Sequence, residues 1–170
     1  IYVKIPVSEG RQFKVGKVEI TGDTISVPRQ ELLDKLTVHK KDYYDREAIA
    51  KDLDYLTRMA QNDGYAYAEI TPRTQTLEAE QKVDVTYNIK KGGLVYFNRI
   101  NITGNTKTRD KVIRRELAFT EGELYSSDKL KSSYARLNRL RYFEEVNFQT
   151  AKGPEESLTD ITIGVKERPT

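Results

Sequence analysis

No cysteine occurs in the 170 residues, and histidine occurs once. The first absence excludes a disulfide framework and any thiolate metal site. It does not fix a compartment, because a reducing cytosol and an oxidising periplasm both tolerate a cysteine-free chain. The second leaves His39, between Val38 and Lys40, with no other imidazole or thiolate to share a metal, so it reads as a surface residue. No run approaches the roughly 18–20 consecutive apolar residues of a spanning helix, and Ile1-Tyr2-Val3-Lys4 is not the opening of a signal peptide. Glycine is missing where phosphate chemistry would need it: Gly92 and Gly93 are adjacent, whereas phosphate loops, dinucleotide fingerprints and nucleophile elbows space theirs. Carboxylates are mixed with Lys and Arg as ordinary solvated pairs, and no catalytic pair stands out. The chain therefore reads as a non-enzyme that requires no cofactor.

What is present is charge. Asp, Glu, Lys and Arg make up 32% of the chain and hydrophobic residues 37%, which suits small cores rather than one large one. The net charge of +3 is unevenly placed. Residues 1–91 carry 15 basic and 15 acidic side chains, whereas residues 92–170 carry 14 and 11. From Lys107 to Arg141 there are ten basic residues against five acidic. Such a face attracts an acidic protein or an anionic membrane surface. Nucleic acid is a poorer match, because the segment lacks the interleaved aromatics of single-strand binders and the total charge is small for a duplex binder.

An internal repeat sets the organisation. Gly16-Lys17-Val18-Glu19-Ile20-Thr21-Gly22-Asp23 is echoed by Asn98-Arg99-Ile100-Asn101-Ile102-Thr103-Gly104-Asn105. Each is a half-buried strand running into a glycine turn. A short amphipathic helix follows, Pro28 to Leu36 and Lys111 to Phe119, then a longer one capped by Asp45 or Ser126. Two strands close each copy: Ala66 to Thr74 and Lys82 to Ile89 in the first, Glu145 to Thr150 and Asp160 to Lys166 in the second. The expected fold is α+β, two tandem β-α-α-β-β units, each a three-stranded mixed sheet covered on one face by two helices. The first unit is assigned to residues 1–91 and the second to 92–170, with Ile1 to Gly10 read as the closing strand of a preceding unit or as a linker.

This repeat, with Ile102-Thr103-Gly104-Asn105 after the first strand and Leu137-Asn138-Arg139-Leu140-Arg141-Tyr142-Phe143-Glu144-Glu145-Val146 running into the second, resembles the POTRA domain. Tandem copies and the tail Val165-Lys166-Glu167-Arg168-Pro169-Thr170 are similar to the outer-membrane protein assembly family that includes BamA. The resemblance implies the penultimate and last POTRA domains before a barrel, in the periplasmic portion of an outer-membrane protein of a Gram-negative bacterium. It also puts the last strand of each unit in the middle of its sheet. The implied partners are unfolded outer-membrane precursors, accessory assembly lipoproteins, neighbouring POTRA domains and the protein's own barrel. The alternative is a spacer of a two-partner secretion transporter or organelle import barrel, binding no client itself.

Two candidate sites follow. Clients are expected to add as strands to the edges formed by the second strand of each unit: Ala66, Tyr67, Ala68, Glu69 and Ile70 in the first, Glu145, Val146, Asn147, Phe148 and Gln149 in the second. Pro72 supports an edge position and weakens the first edge as a binder. An accessory protein or the membrane surface is expected to dock on Arg114 and Arg115, which cannot both face the core, with Glu121 as an acidic orienting point.

Overall fold

The computed structural model describes residues 2–169. These divide into two compact units, Ile1–Tyr55 with Ile70–Ile89 and Leu56–Glu69 with Lys90–Thr170. No helix among the described residues is long and apolar enough to cross a membrane.

The first repeat comprises β1 (Lys14–Gly22), α1 (Arg29–Lys35), a 3-10 turn (Val38–Lys40), α2 (Arg46–Asn62), β2 (Glu69–Leu77), a second 3-10 turn (Glu78–Glu80) and β3 (Lys82–Lys90). Its sheet has the order β1-β3-β2, with β3 central and parallel to β1 in the register Val18↔Val85 and Ile20↔Tyr87. Along β3 the alternate residues Val83, Val85, Tyr87 and Ile89 are buried, the period-two pattern of a strand with one covered face. Leu32, Leu36, Val38, Ala48 and Ile49 are also buried in this unit. The carboxylate of Asp52, equally buried, accepts the Thr37 and Val38 backbone N–H groups and the Tyr87 hydroxyl. It ties the turn after α1 to the long helix and the central strand.

The second repeat comprises β4 (Tyr96–Thr103), α3 (Asp110–Arg114), α4 (Ser127–Arg139), β5 (Phe143–Lys152) and β6 (Leu158–Glu167). The order is β4-β6-β5, with β6 parallel to β4 and antiparallel to β5. Phe97 stacks on Phe119 at 4.3 Å between ring centroids and lies 5.3 Å from Tyr125, over Ile113, Leu137, Ile161 and Ile163. Ser126 caps α4 by accepting from the Lys129 N–H. At the position of α4 that matches Asp52, the buried Ser133 hydroxyl accepts the Ala118 N–H at 2.8 Å.

The repeated Thr-Gly turn has a steric cause. Gly22 and Gly104 have φ of 89° and 83°, and a Cβ on either would lie 2.3 Å from the Ile89 oxygen or 2.0 Å from the Val165 oxygen. Both parallel edge strands also carry a β-bulge, between Val15 and Val18 and between Phe97 and Ile100. A central-strand aspartate holds each one. Asp84 accepts the Lys17 N–H at 2.7 Å, and Asp160 accepts the Arg99 N–H at 3.1 Å and the Asn98 amide at 2.8 Å.

Three expected boundaries are corrected. The strand expected from Ala66 starts at Glu69 and continues past Thr74 to Leu77. Ala66, Tyr67 and Ala68 lie in the preceding turn instead, where Ala68 N–H donates to the Tyr65 oxygen and the Gln61 side chain donates to the Ala66 oxygen, after Gly64 has left α2 at φ 95°. The short helix expected to reach Phe119 stops at Arg114, because tight turns from Glu116 to Ile113 and from Leu117 to Arg114 lead the chain toward the Ser133 hydroxyl. Residues 2–10 form no strand and have no strand partner among the described residues.

Candidate functional site

A three-stranded sheet with its third strand in the middle has two edges, and the two edges of the second sheet differ. The β5 edge is open. Over Phe143–Lys152 this strand pairs only with β6, from Phe143↔Glu167 to Lys152↔Thr159, so its other row of backbone groups faces solvent. Val146 and Phe148 turn toward the core, while Glu145, Asn147 and Gln149 are exposed, the alternation expected from sequence. Lys166 on β6 reaches Glu144 at 3.1 Å and Glu145 at 3.8 Å across the polar face, and these carboxylates raise its pKa.

The β4 edge is covered as far as Ile100. Tyr125 N–H donates to the Val95 oxygen, Phe97 N–H to the Glu123 oxygen and Gly122 N–H to the Phe97 oxygen, at 2.9, 2.9 and 2.7 Å. Beyond the bulge, side chains replace backbone: Ile100 N–H donates to Glu121 Oε1 at 2.9 Å, and Arg114 Nη2 donates to the Ile100 oxygen at 2.8 Å. A shallow cavity of about 260 Å³ lies beside this clamp, lined by Ile100, Arg114, Leu117, Phe119, Thr120 and Glu121.

In the first sheet β2 is the corresponding edge. All of Glu69–Leu77 is exposed except Ile70 and Leu77, which are half-buried, and Pro72 interrupts its donor row. Of the five residues expected to receive a client there, only Glu69 and Ile70 lie on the strand. The opposite edge is partly covered, with Tyr44 N–H donating to the Phe13 oxygen at 2.8 Å and Lys14 bridged to Tyr43.

The expected docking residues are less free than their positions suggested. Arg114 is held by Asp110 at 2.7 Å and lies 3.9 Å from Glu121, besides its bond to Ile100. Arg115 points outward, with Glu116 at 3.3 Å and 63% of its side chain exposed. His39 sits exposed in a 3-10 turn, and among the described residues no group of three or more His, Asp or Glu is placed to hold a metal ion.

The end of β6 carries an arrangement that sequence reasoning passed over. The Glu167 carboxylate accepts the Thr108 N–H at 2.6 Å, the Lys107 N–H at 2.9 Å and the Thr106 hydroxyl at 2.8 Å. These donors, the Thr108 N–H foremost, pull its pKa from the ordinary 4.5 down to about 2. The next residue, Arg168, donates its N–H to the Tyr142 oxygen and its Nε to the Phe143 oxygen. The tail is thus tied on one side to the loop after β4 and on the other to the start of β5.

A parallel edge strand with a stapled bulge, two helices on one face and a central last strand occur twice in succession. The profile of the POTRA family, described as "Surface antigen variable number repeat", matches residues 13–92 and 95–168. The chain belongs to the POTRA family. It is 39% identical over its whole length to the outer membrane protein assembly factor BamA of Nitratidesulfovibrio vulgaris, and 38% identical over 99% of its length to that of Neisseria meningitidis. It spans 22% and 21% of those two proteins, about a fifth of each. Its fold is similar to that of Haemophilus influenzae BamA POTRA3-5, with a TM-score of 0.80 at 24% identity, covering 93% of this chain and 63% of that one. It is likewise similar to Haemophilus ducreyi BamA lacking POTRA domains 1-3, with a TM-score of 0.77 at 23% identity over 92% of this chain and 30% of that one. Within the POTRA repeat, the bulge aspartates Asp84 and Asp160 and the helix positions Asp52 and Ser133 were the features missed. Asp52 and Ser133 had a signal, a lone polar residue where the apolar stripe of the long helix passes, whereas Asp84 and Asp160 had none, because each stands on the polar side of its strand's alternation.

Proposed function

We propose that this POTRA pair is the periplasmic, non-enzymatic receiving module of an outer-membrane β-barrel assembly factor, the penultimate and last POTRA domains before its barrel. It takes unfolded outer-membrane protein precursors as added strands, at β5 in the second repeat and more weakly at β2 in the first. The observation that carries this reading is the ten-residue β5, which has a partner on one side only. Main-chain hydrogen bonds are available whatever the visitor's side chains, so one edge serves many precursors with modest affinity. The charged flank Glu144, Glu145 and Lys166 discourages edge-to-edge association of the module with itself. An accessory lipoprotein docks on the cationic face that carries Arg114 and Arg115, with Glu121 at its margin.

Titrating isotope-labelled protein with peptides copied from barrel strands tests the first part. Shifts should follow Glu145–Gln149, with weaker ones along Glu69–Ile70. Shifts confined to the helices, with both edge strands silent, rule out strand addition and favour a spacer. For docking, reversal of Arg115 should weaken association with the lipoprotein while leaving peptide shifts on β5 unchanged.

A further inference from the structure

β4 is long enough to accept a visiting strand, and its outward-facing backbone groups can be followed residue by residue. The Val95 oxygen and both groups of Phe97 are taken by the backbone of the segment Gly122–Tyr125, which runs beside β4 with an antiparallel bridge between Tyr96 and Leu124, while the Val95 N–H donates to the Gly64 oxygen. That cover cannot continue. The bulge at Asn98 and Arg99, fixed by Asp160, resets the strand, and the covering chain turns away at Glu121. Ile100 is the next residue whose N–H and C=O both point away from β6, and it meets two side chains instead: an acidic acceptor on its N–H and a guanidinium donor on its oxygen. Donor and acceptor are matched in the order that a neighbouring strand would present them.

We propose that Arg114 and Glu121 are an edge guard: by occupying the backbone groups of Ile100 they deny β4 to extended polypeptides and direct strand addition in the second repeat to β5. The occupant excluded is the one that β5 admits, a segment of alternating apolar and polar residues in extended conformation. The guard is built from charge-assisted hydrogen bonds, which are stronger than neutral ones and costly to displace for a peptide offering only amides. Asp110 holds Arg114 in position from the first turn of α3. The first repeat has no equivalent, because its matching positions hold Leu33, which cannot donate, and Lys40, which cannot accept. The selectivity therefore belongs to the second sheet. The choice of edge rests on the strand-addition reading above, whereas the closure of Ile100 does not.

Two measurements on the two-repeat chain separate these. The first needs no peptide: amide hydrogen exchange at Ile100 should speed by about tenfold, roughly the net worth of one hydrogen bond, in Glu121→Leu and in Arg114→Met/Glu121→Leu, with Ile161 unchanged. Glu121→Asp should fall between, and serves if the double variant folds poorly. The second uses a barrel-strand peptide carrying a spin label. In the unaltered chain broadening should fall on β5 and spare Ile100–Thr103; in the double variant it should appear on both edges. Unchanged exchange at Ile100, or a β4 edge that stays unbroadened while β5 binds, overturns the guard. Broadening of neither edge in any variant, with faster exchange at Ile100, overturns strand addition and, with it, the guard's role in directing clients, leaving only the closure.

Discussion

Tyr87, at the centre of the first sheet, donates its hydroxyl to the carboxylate of Asp52 at 2.9 Å. Burial pushes the tyrosine's pKa up, and the bond to Asp52 adds to the rise. Because the same carboxylate receives the Thr37 and Val38 N–H groups, Asp52→Ala strands three donors in the core. It should cost about 2–4 kcal/mol, whereas Tyr87→Phe, which removes one donor and leaves the other two satisfied, should cost about 1–2 kcal/mol. Urea denaturation of the two variants beside the unaltered chain checks the order. Equal losses would mean that the backbone donors contribute nothing.

Acid should loosen the second repeat through Glu167. Its folded pKa, about 2, lies below the ordinary 4.5, so the unfolded chain binds the proton more readily. The stability it contributes is complete above about pH 4.5 and is lost as pH falls toward 2. Glu167→Gln should flatten that part of the profile, and denaturation midpoints measured at several pH values should converge for the two proteins near pH 2. Parallel curves over the whole range would show that Thr106, Lys107 and Thr108 do not hold the carboxylate in solution.

The bulges offer a sharper local test. Asp160 accepts both from Arg99 and from Asn98, so Asp160→Ala should cost about 1–2 kcal/mol and raise exchange at Arg99 first. In the first repeat the same logic applies through Gly16, where a Cβ would sit 2.2 Å from Asp84 Oδ1. Gly16→Ala should displace that carboxylate from the Lys17 N–H and reproduce much of the effect of Asp84→Ala. If the double variant loses the sum of the two single losses, the residues are not coupled.

These particulars mark where sequence was sufficient. The alternation Val83, Val85, Tyr87, Ile89 and the paired glycines Gly22 and Gly104 are periodic or sterically obligatory, and the β-α-α-β-β order could be read from them. Ala66-Tyr67-Ala68 imitates strand alternation, yet Gly64 commits the chain to a turn there, which a two-residue period does not register. Asp52 occupies a place on the stripe of Ile49, Leu53 and Leu56, and its burial depends on Thr37, Val38 and Tyr87 arriving from elsewhere. Arg114 faces away from the core on a helical wheel, which is correct, but its partner Ile100 is brought to it by the bulge in β4. Tertiary placement, not local propensity, decides both.

The unequal edges give the last prediction. A proline persists in a sheet where its missing N–H would have faced solvent, so Pro72 deletes a donor from the outer row of β2, the row a client would use. Pro72→Thr restores that donor with a residue suited to strands, and the first edge should then bind a barrel-strand peptide several-fold more tightly, about the worth of one backbone hydrogen bond. The converse change is Asn147→Pro on β5, whose side chain is exposed. If the Asn147 N–H faces outward, this substitution removes one client contact and should weaken peptide binding several-fold with only a small change in melting temperature. If it faces β6, melting should fall first, and proline at the neighbouring Phe148 can be compared, because N–H direction alternates along a strand. Binding measured by peptide titration and folding measured by thermal melts keep the two effects apart. An affinity indifferent to Pro72→Thr and to proline at both β5 positions, in chains that remain folded, would mean that precursors are held by side chains elsewhere and not by these edges.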